Sequence, residues 1–198
     1  LETAEIAVQS SLTGHLVLST FHTNDAAGAL TRLVEMDIEP FLVASSIIGI
    51  QAQRLVRVLC PHCRELYEPT RAQLEELGVQ PDNPYAPKPP PAHHVYREAE
   101  KKLSPLKPLR DGHVSLYRAV GCDECLGLGY RGRTGIYEML MITDEIRAHV
   151  LRNADSNTIK RTALSEGMVN LREDGSRKVL AGVTTIEEVL RVTQDDMD

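Results

Sequence analysis

The four cysteines of this 198-residue chain fall into two Cys-x-x-Cys pairs, Cys60/Cys63 and Cys122/Cys125, with none left over. Two tight turns of this kind can aim four thiolates at one ion, about 2.3 Å from each sulfur, so the pattern reads as a structural Zn2+ site. A pair of disulfides is the competing reading, and it needs an oxidising compartment for which the chain carries no export signal. A redox motif would need only one pair, opening a helix. Four sulfurs fill the shell and leave no position for water, so the site is assigned no catalysis. Its role is to pin together the ends of segment 64–121, where metal binding can offset the entropy of closing a long loop.

Two further groups have the right chemistry for anions. His22 lies in Thr20-Phe-His-Thr-Asn24, where an imidazole N–H can reach a phosphate oxygen. A lone histidine is more often a satisfied polar residue, but its place just past an apolar run favours a functional reading. His15, before that run, has the weaker claim. Arg131 and Arg133 sit in a Gly-rich stretch, residues 126–135, read as a tight basic loop. Forked guanidinium hydrogen bonds suit phosphate or carboxylate there, against the plainer reading of solvated loop charge. His62, His93, His94 and His113 are bystanders.

The elements that must hold these residues follow from periodicity and caps. Glu2 to Ser11 has one apolar helical face and ends at Thr13-Gly14. His15 to Ser19 reads as a buried parallel strand, which puts His22 beyond its carboxyl end, where open α/β sheets bind ligands. Asn24 or Asp25 caps a helix to about Glu35. Pro40 opens another, from Phe41 to about Gln53. Arg54 to Leu59 leads into the first cysteine turn. Between the pairs come a short helix (Arg71 to Leu77), a Pro-rich tract over 81–91, a mixed-charge segment with Lys101, Lys102, Lys107 and Arg110, and a strand from Val114 to Val120. Ile136 to Ile142 is a further strand. Helices capped by Thr143, by Asp155 or Ser156, and one from Val169 to Leu180 follow, and Thr184 to Glu188 resembles a capping box for the last.

Composition narrows the class. Hydrophobic residues make up 42%, with no Trp and two Phe, so any core is aliphatic. The net charge of −6 and the lack of a basic stripe argue against nucleic acid as a partner. No apolar run approaches the roughly 18 to 20 residues of a membrane span. The chain begins at Leu1 without a Met, within a helical pattern, and is read as a piece of a longer protein.

Taken together, Leu-Glu-Thr-Ala at 1–4, Thr-Gly-His-Leu-Val-Leu-Ser-Thr at 13–20, His-Thr-Asn at 22–24, Phe41 to Cys63, the second cysteine pair and Tyr-Arg-Gly-Arg-Thr-Gly-Ile-Tyr-Glu at 130–138 resemble the type II secretion system ATPases (the general secretion pathway ATPase E family). The type IV pilus extension ATPases are near relatives, and Thr184 to Thr193 leans towards the secretion branch. The resemblance covers the chain except about 66–112, and segment 64–121 looks longer than the family's usual insertion.

The resemblance implies an α/β fold, the C-terminal part of a RecA-like P-loop ATPase core, with a four-cysteine zinc-binding insertion and a C-terminal helical subdomain. Its expected divisions are 1–59, 60–125 and 126–198. It implies a homo-hexamer that hydrolyses ATP with Mg2+, with His22 near the γ-phosphate and Arg133, with Arg131, near the nucleotide. It also implies docking on membrane-anchored assembly-platform proteins at the cytoplasmic face of the inner membrane, where the motor drives pseudopilus growth. In the family the P-loop, acidic box and catalytic glutamate lie upstream of the matching region, and no G-x-x-x-x-G-K-[ST] occurs here. These 198 residues alone are therefore expected not to hydrolyse ATP. The reading from a different class is a zinc-ribbon binding module without motor activity.

Overall fold

In the computed structural model, residues 2–78 and 115–194 are described. The Pro-rich tract, the mixed-charge segment, the start of the expected strand at Val114, and His93, His94 and His113 lie outside them. The described residues form a mixed helix and strand fold that groups into two compact units. One comprises residues up to Ala52 with Glu138–Met168; the other comprises the described residues of Gln53–Tyr137 with those from Val169 onward. These units are defined by packing, whereas the divisions at 59/60 and 125/126 follow the motifs.

The first unit opens with α1 (Glu2–Leu12), whose first turn carries Glu2 and Glu5 at the positive end of the helix dipole. α2 (Ala26–Glu35) is capped by Asp25, whose side chain accepts the Gly28 N–H. α3 (Pro40–Ser46) starts on Pro40 and buries Val43 and Ala44. α5 (Asp144–Leu151) and α6 (Ser156–Ser165) are capped by Thr143 and Asp155. Their inward faces meet in an aliphatic core that includes Leu30, Val43, Leu140, Ile146 and Ile159, as the shortage of aromatic residues requires.

Two expectations fail here. Residues 15–23 form no regular element, and Leu16 and Leu18 are 78% and 89% exposed, so the expected buried strand is absent. A parallel strand needs a hydrogen-bonding neighbour, and the described sheets, Gly49–Leu59 with Tyr130–Met141 and Glu65–Tyr67 with Leu116–Arg118, do not include this segment. The helix expected to reach Gln53 stops at Ser46. Ser45 and Ser46 hydroxyls donate back to the Phe41 and Leu42 carbonyls, and the β-branched Ile47 and Ile48 then favour extended backbone. Strand β1 (Gly49–Leu59) begins there instead, with alternating exposure along its length.

β1 pairs with β4 (Tyr130–Met141), and each packing unit takes a stretch of both strands. The expected loop over 126–135 is thus half strand, since Tyr130 to Gly135 belong to β4. In the second unit, β2 (Glu65–Tyr67) pairs antiparallel with β3 (Leu116–Arg118), and Arg118 meets Glu65 across the strands at 3.0 Å. α4 (Arg71–Glu76) carries a full capping box from Thr70 and Gln73. α7 (Leu171–Leu180) and α8 (Ile186–Val192) pack so closely that a Cβ on Gly175 would lie 2.5 Å from Val189.

The expected capping box of α8 is only half used. Thr185 accepts the Glu188 N–H, but the Glu188 carboxylate turns elsewhere. It is 1% exposed, accepts the Arg57 N–H at 2.9 Å and the Arg57 guanidinium at 2.7 Å, and is held by Arg191 at 3.0 and 3.1 Å. Arg57 also covers the Tyr130 ring at 4.1 Å, and the Tyr130 hydroxyl meets that of Thr185 at 2.9 Å. Burial pushes the Glu188 carboxyl up, but the hydrogen bonds from Arg191 and Arg57 outweigh it and hold the group at about 2. A depressed carboxyl stabilises the fold above its unfolded value and ceases to do so as pH falls towards 2. Glu188→Gln is expected to cost about 3 kcal/mol at pH 7, with roughly half of that difference gone at pH 3. Urea unfolding of both proteins at the two pH values checks this; a gap independent of pH would show that the carboxylate charge is not what stabilises.

Candidate metal centre

The cysteine turns sit at the junctions of strands. Cys60 follows directly on β1, and its N–H donates to the Gly129 carbonyl just before β4 at 2.9 Å. Pro61 and His62 complete the turn to Cys63, closed by the Arg64 N–H on the Cys60 carbonyl at 3.1 Å. The second pair flanks a single 3-10 turn, Asp123–Cys125, with the Cys125 and Gly127 N–H groups both on the Cys122 carbonyl. Gly121 is indispensable to this approach. Its φ is +118°, and a Cβ there would stand 2.6 Å from the Gly127 carbonyl oxygen.

The result is a cluster in which all four sulfurs lie within 4.8 Å of one another. Cys60 to Cys122 is 3.9 Å, Cys63 to Cys125 is 3.8 Å and Cys122 to Cys125 is 3.8 Å. These are free thiols; a disulfide would need a sulfur separation of about 2.05 Å. Four thiolates placed tetrahedrally about 2.3 Å from one ion stand about 3.8 Å apart, so the spacing fits a metal with a complete sulfur shell. Backbone N–H groups face the sulfurs, from Gly121 to Cys63 at 3.3 Å, and from Cys122 and Gly129 to Cys125 at 3.2 and 3.1 Å. Without an ion, burial pushes the Cys63 thiol up to about 11 and raises Cys122, whereas for Cys125 the N–H groups and neighbouring thiols overcome burial and lower it to about 6. A bound cation favours the deprotonated form of all four.

His22 is exposed, in the irregular segment of the first unit. Arg131 and Arg133 belong to the second unit and are exposed on β4; Arg131 pairs with Glu124 at 3.5 Å. His15 serves locally, its Nδ1 lying 3.1 Å from the Thr13 hydroxyl and 3.3 Å from the Ser10 carbonyl at the end of α1. Sequence reading passed over two buried carboxylates. Besides Glu188, Glu138 of β4 is 1% exposed and accepts the Ala26 N–H at the start of α2 at 3.0 Å. The available signal was a carboxylate inside the apolar run Ile136-Tyr-Glu-Met-Leu140, where burial of a charge demands partners.

Residues 1–191 match the family described as "Type II/IV secretion system protein". The chain belongs to that family. Among its relatives, type II secretion system protein E of Pseudomonas aeruginosa is 50% identical over 98% of this chain and 33% of its own length. Type II secretion system ATPase E of Vibrio cholerae is 44% identical over 98% of the chain and 33% of its own. The type IV pilus assembly ATPase PilB of Thermus thermophilus is 42% identical over 97% of the chain and 19% of its own. The chain thus spans about a third of the length of the secretion relatives. Within this type II/IV secretion family chain, no described helix is long and apolar enough to cross a membrane.

Elemental analysis of the protein, purified without chelator, is expected to give about one metal ion per chain bound by the four thiolates. Cys122→Ser should lose it, and Gly121→Ala should lose most of it although no ligand is removed. Metal content unchanged in both variants would remove the cluster as a metal centre.

Proposed function

We infer that the chain is the C-terminal part of the ATP-hydrolysing motor of a type II protein secretion system. The observation that carries this reading is the 50% identity to a type II secretion system protein E along almost the whole chain, with the four-cysteine cluster intact and geometrically sound. A pilus assembly ATPase is the second reading, favoured by the 42% identity to one. A zinc ribbon without motor activity has no such support.

In the intact protein the first unit would belong to a RecA-like core, and a hexamer of such chains would bind ATP with Mg2+. His22 would offer its imidazole N–H to the γ-phosphate, for which its exposure leaves it available. Arg133 is the stronger of the two arginines for the nucleotide, because Arg131 already pairs with Glu124. The ion in the cysteine cluster would be Zn2+, held by Cys60, Cys63, Cys122 and Cys125. Zinc in a closed sulfur shell supplies structure and no reactive water. The motor would work at the cytoplasmic face of the inner membrane, on membrane-anchored assembly-platform proteins, without nucleic acid.

Phosphoryl transfer needs a phosphate cradle and a water-polarising acid, and no P-loop pattern occurs in these 198 residues. The intact protein should hydrolyse ATP, and His22→Ala should lower turnover by about 10- to 100-fold while its melting temperature stays nearly unchanged. Residues 1–198 alone should release no phosphate and bind ATP no more tightly than about 1 mM, roughly −4 kcal/mol. Calorimetric titration with Mg-ATP and a phosphate-release assay decide both points. Micromolar binding by the short chain would mean that the active site has been misplaced. A melting temperature that falls while turnover per folded molecule holds would make His22 a structural residue.

A further inference from the structure

Three elements of the first unit converge on the backbone that follows His22. Asp25 caps α2 through the Gly28 N–H at 2.8 Å, and its second oxygen meets Lys160 of α6 at 3.3 Å. Glu138 of β4 accepts the neighbouring N–H, that of Ala26, at 3.0 Å. The Thr23 hydroxyl donates to the Asp25 carbonyl at 3.0 Å, tightening the turn directly behind His22. Glu138 is buried, and the Lys160 and Asp25 side chains are 14% and 19% exposed.

Capping needs far less than this. In an ordinary helix one Asp side chain accepts one of the four N-terminal N–H groups and water serves the rest, whereas a second carboxylate and an ammonium brought out of water carry a desolvation cost. What they add is a fixed position. Among the described residues the anchored point nearest His22 is the turn at Asp25 and Ala26, so that turn bears directly on where the imidazole stands. We propose that Lys160 and Glu138 are positioning residues: through Asp25 and the Ala26 N–H they hold the start of α2, and so the His22 imidazole, in register with the phosphate it serves. This rests on the reading of His22 given above.

The test uses the intact ATPase with Lys160→Met, Lys160→Arg, His22→Ala and the His22→Ala/Lys160→Met pair. Lys160→Met should lower kcat about tenfold with KM for ATP within about twofold, since a small misplacement of a reacting group is enough to slow chemistry. Lys160→Arg keeps the cation and should retain most of kcat. In the His22→Ala background, Lys160→Met should cost less than about twofold more, because the two act on one step. Should Lys160→Met not fold, Lys160→Gln, which removes the charge that meets Asp25 but keeps a polar head, takes its place in the same cycle. Wild-type kcat in Lys160→Met, or an equal loss with and without His22, overturns the proposal. An enzyme indifferent to His22→Ala instead removes the phosphate role of His22, and this inference with it; an intact protein without ATPase activity removes the motor reading itself.

Discussion

Four sulfurs held within 4.8 Å of one another without a bond between them are a constraint that much of the second unit answers to. Thiolates at this spacing repel, which a cation would relieve, and the N–H groups of Gly121, Cys122 and Gly129 donate to Cys63 and Cys125. The geometry reaches outward through the chain. Cys60 fixes the end of β1 beside Gly129 at the start of β4, while Arg64, next to Cys63, donates to the Gly182 carbonyl at 2.7 Å and lies over the Tyr117 ring at 4.5 Å. The turn between α7 and α8 is therefore tied to the cysteine knuckle by the residue next to Cys63.

Features that depend on local chemistry were legible in the sequence. The cysteine spacing predicts the cluster, and Asp25, Thr143 and Asp155 cap the helices expected of them, because a cap is decided within four residues. The aliphatic core follows from composition. The failures share a dependence on partners distant in sequence, joined at Ser46 by the local serine back-bonding that ends α3. The run at His15 to Ser19 has strand composition, but composition supplies no neighbouring strand. Segment 126–135 is rich in glycine and reads as loop, yet its second half becomes strand because β1 pairs with it. Past Ser46, Ile47 to Gln53 could continue either element by pattern, and once α3 has ended pairing with β4 makes the stretch from Gly49 strand.

The same distance effect hid the buried carboxylates. Glu188 reads as the acidic end of a capping box because its local spacing says so. Arg57, 131 residues away, offers a backbone N–H and a guanidinium together, and Arg191 adds a second fork. A charge-assisted network outweighs one more cap bond. Glu138 and Ala26 are likewise 112 residues apart. In both units a buried carboxylate is a point where far parts of the chain meet, and its hydrogen-bond geometry fixes their register.

The knuckle also bears on how this chain can vary between lineages. Cys63 and Cys122 bracket segment 64–121, with the β2–β3 pair clasping its two ends by Glu65↔Arg118, Leu66↔Tyr117 and Tyr67↔Leu116. Once the ends are clasped, doubling the length of chain between them costs only about 0.6 kcal/mol of closure entropy. Flexible sequence added within this clasp is thus nearly neutral for folding, whether acquired by evolution or inserted by an engineer as a tag.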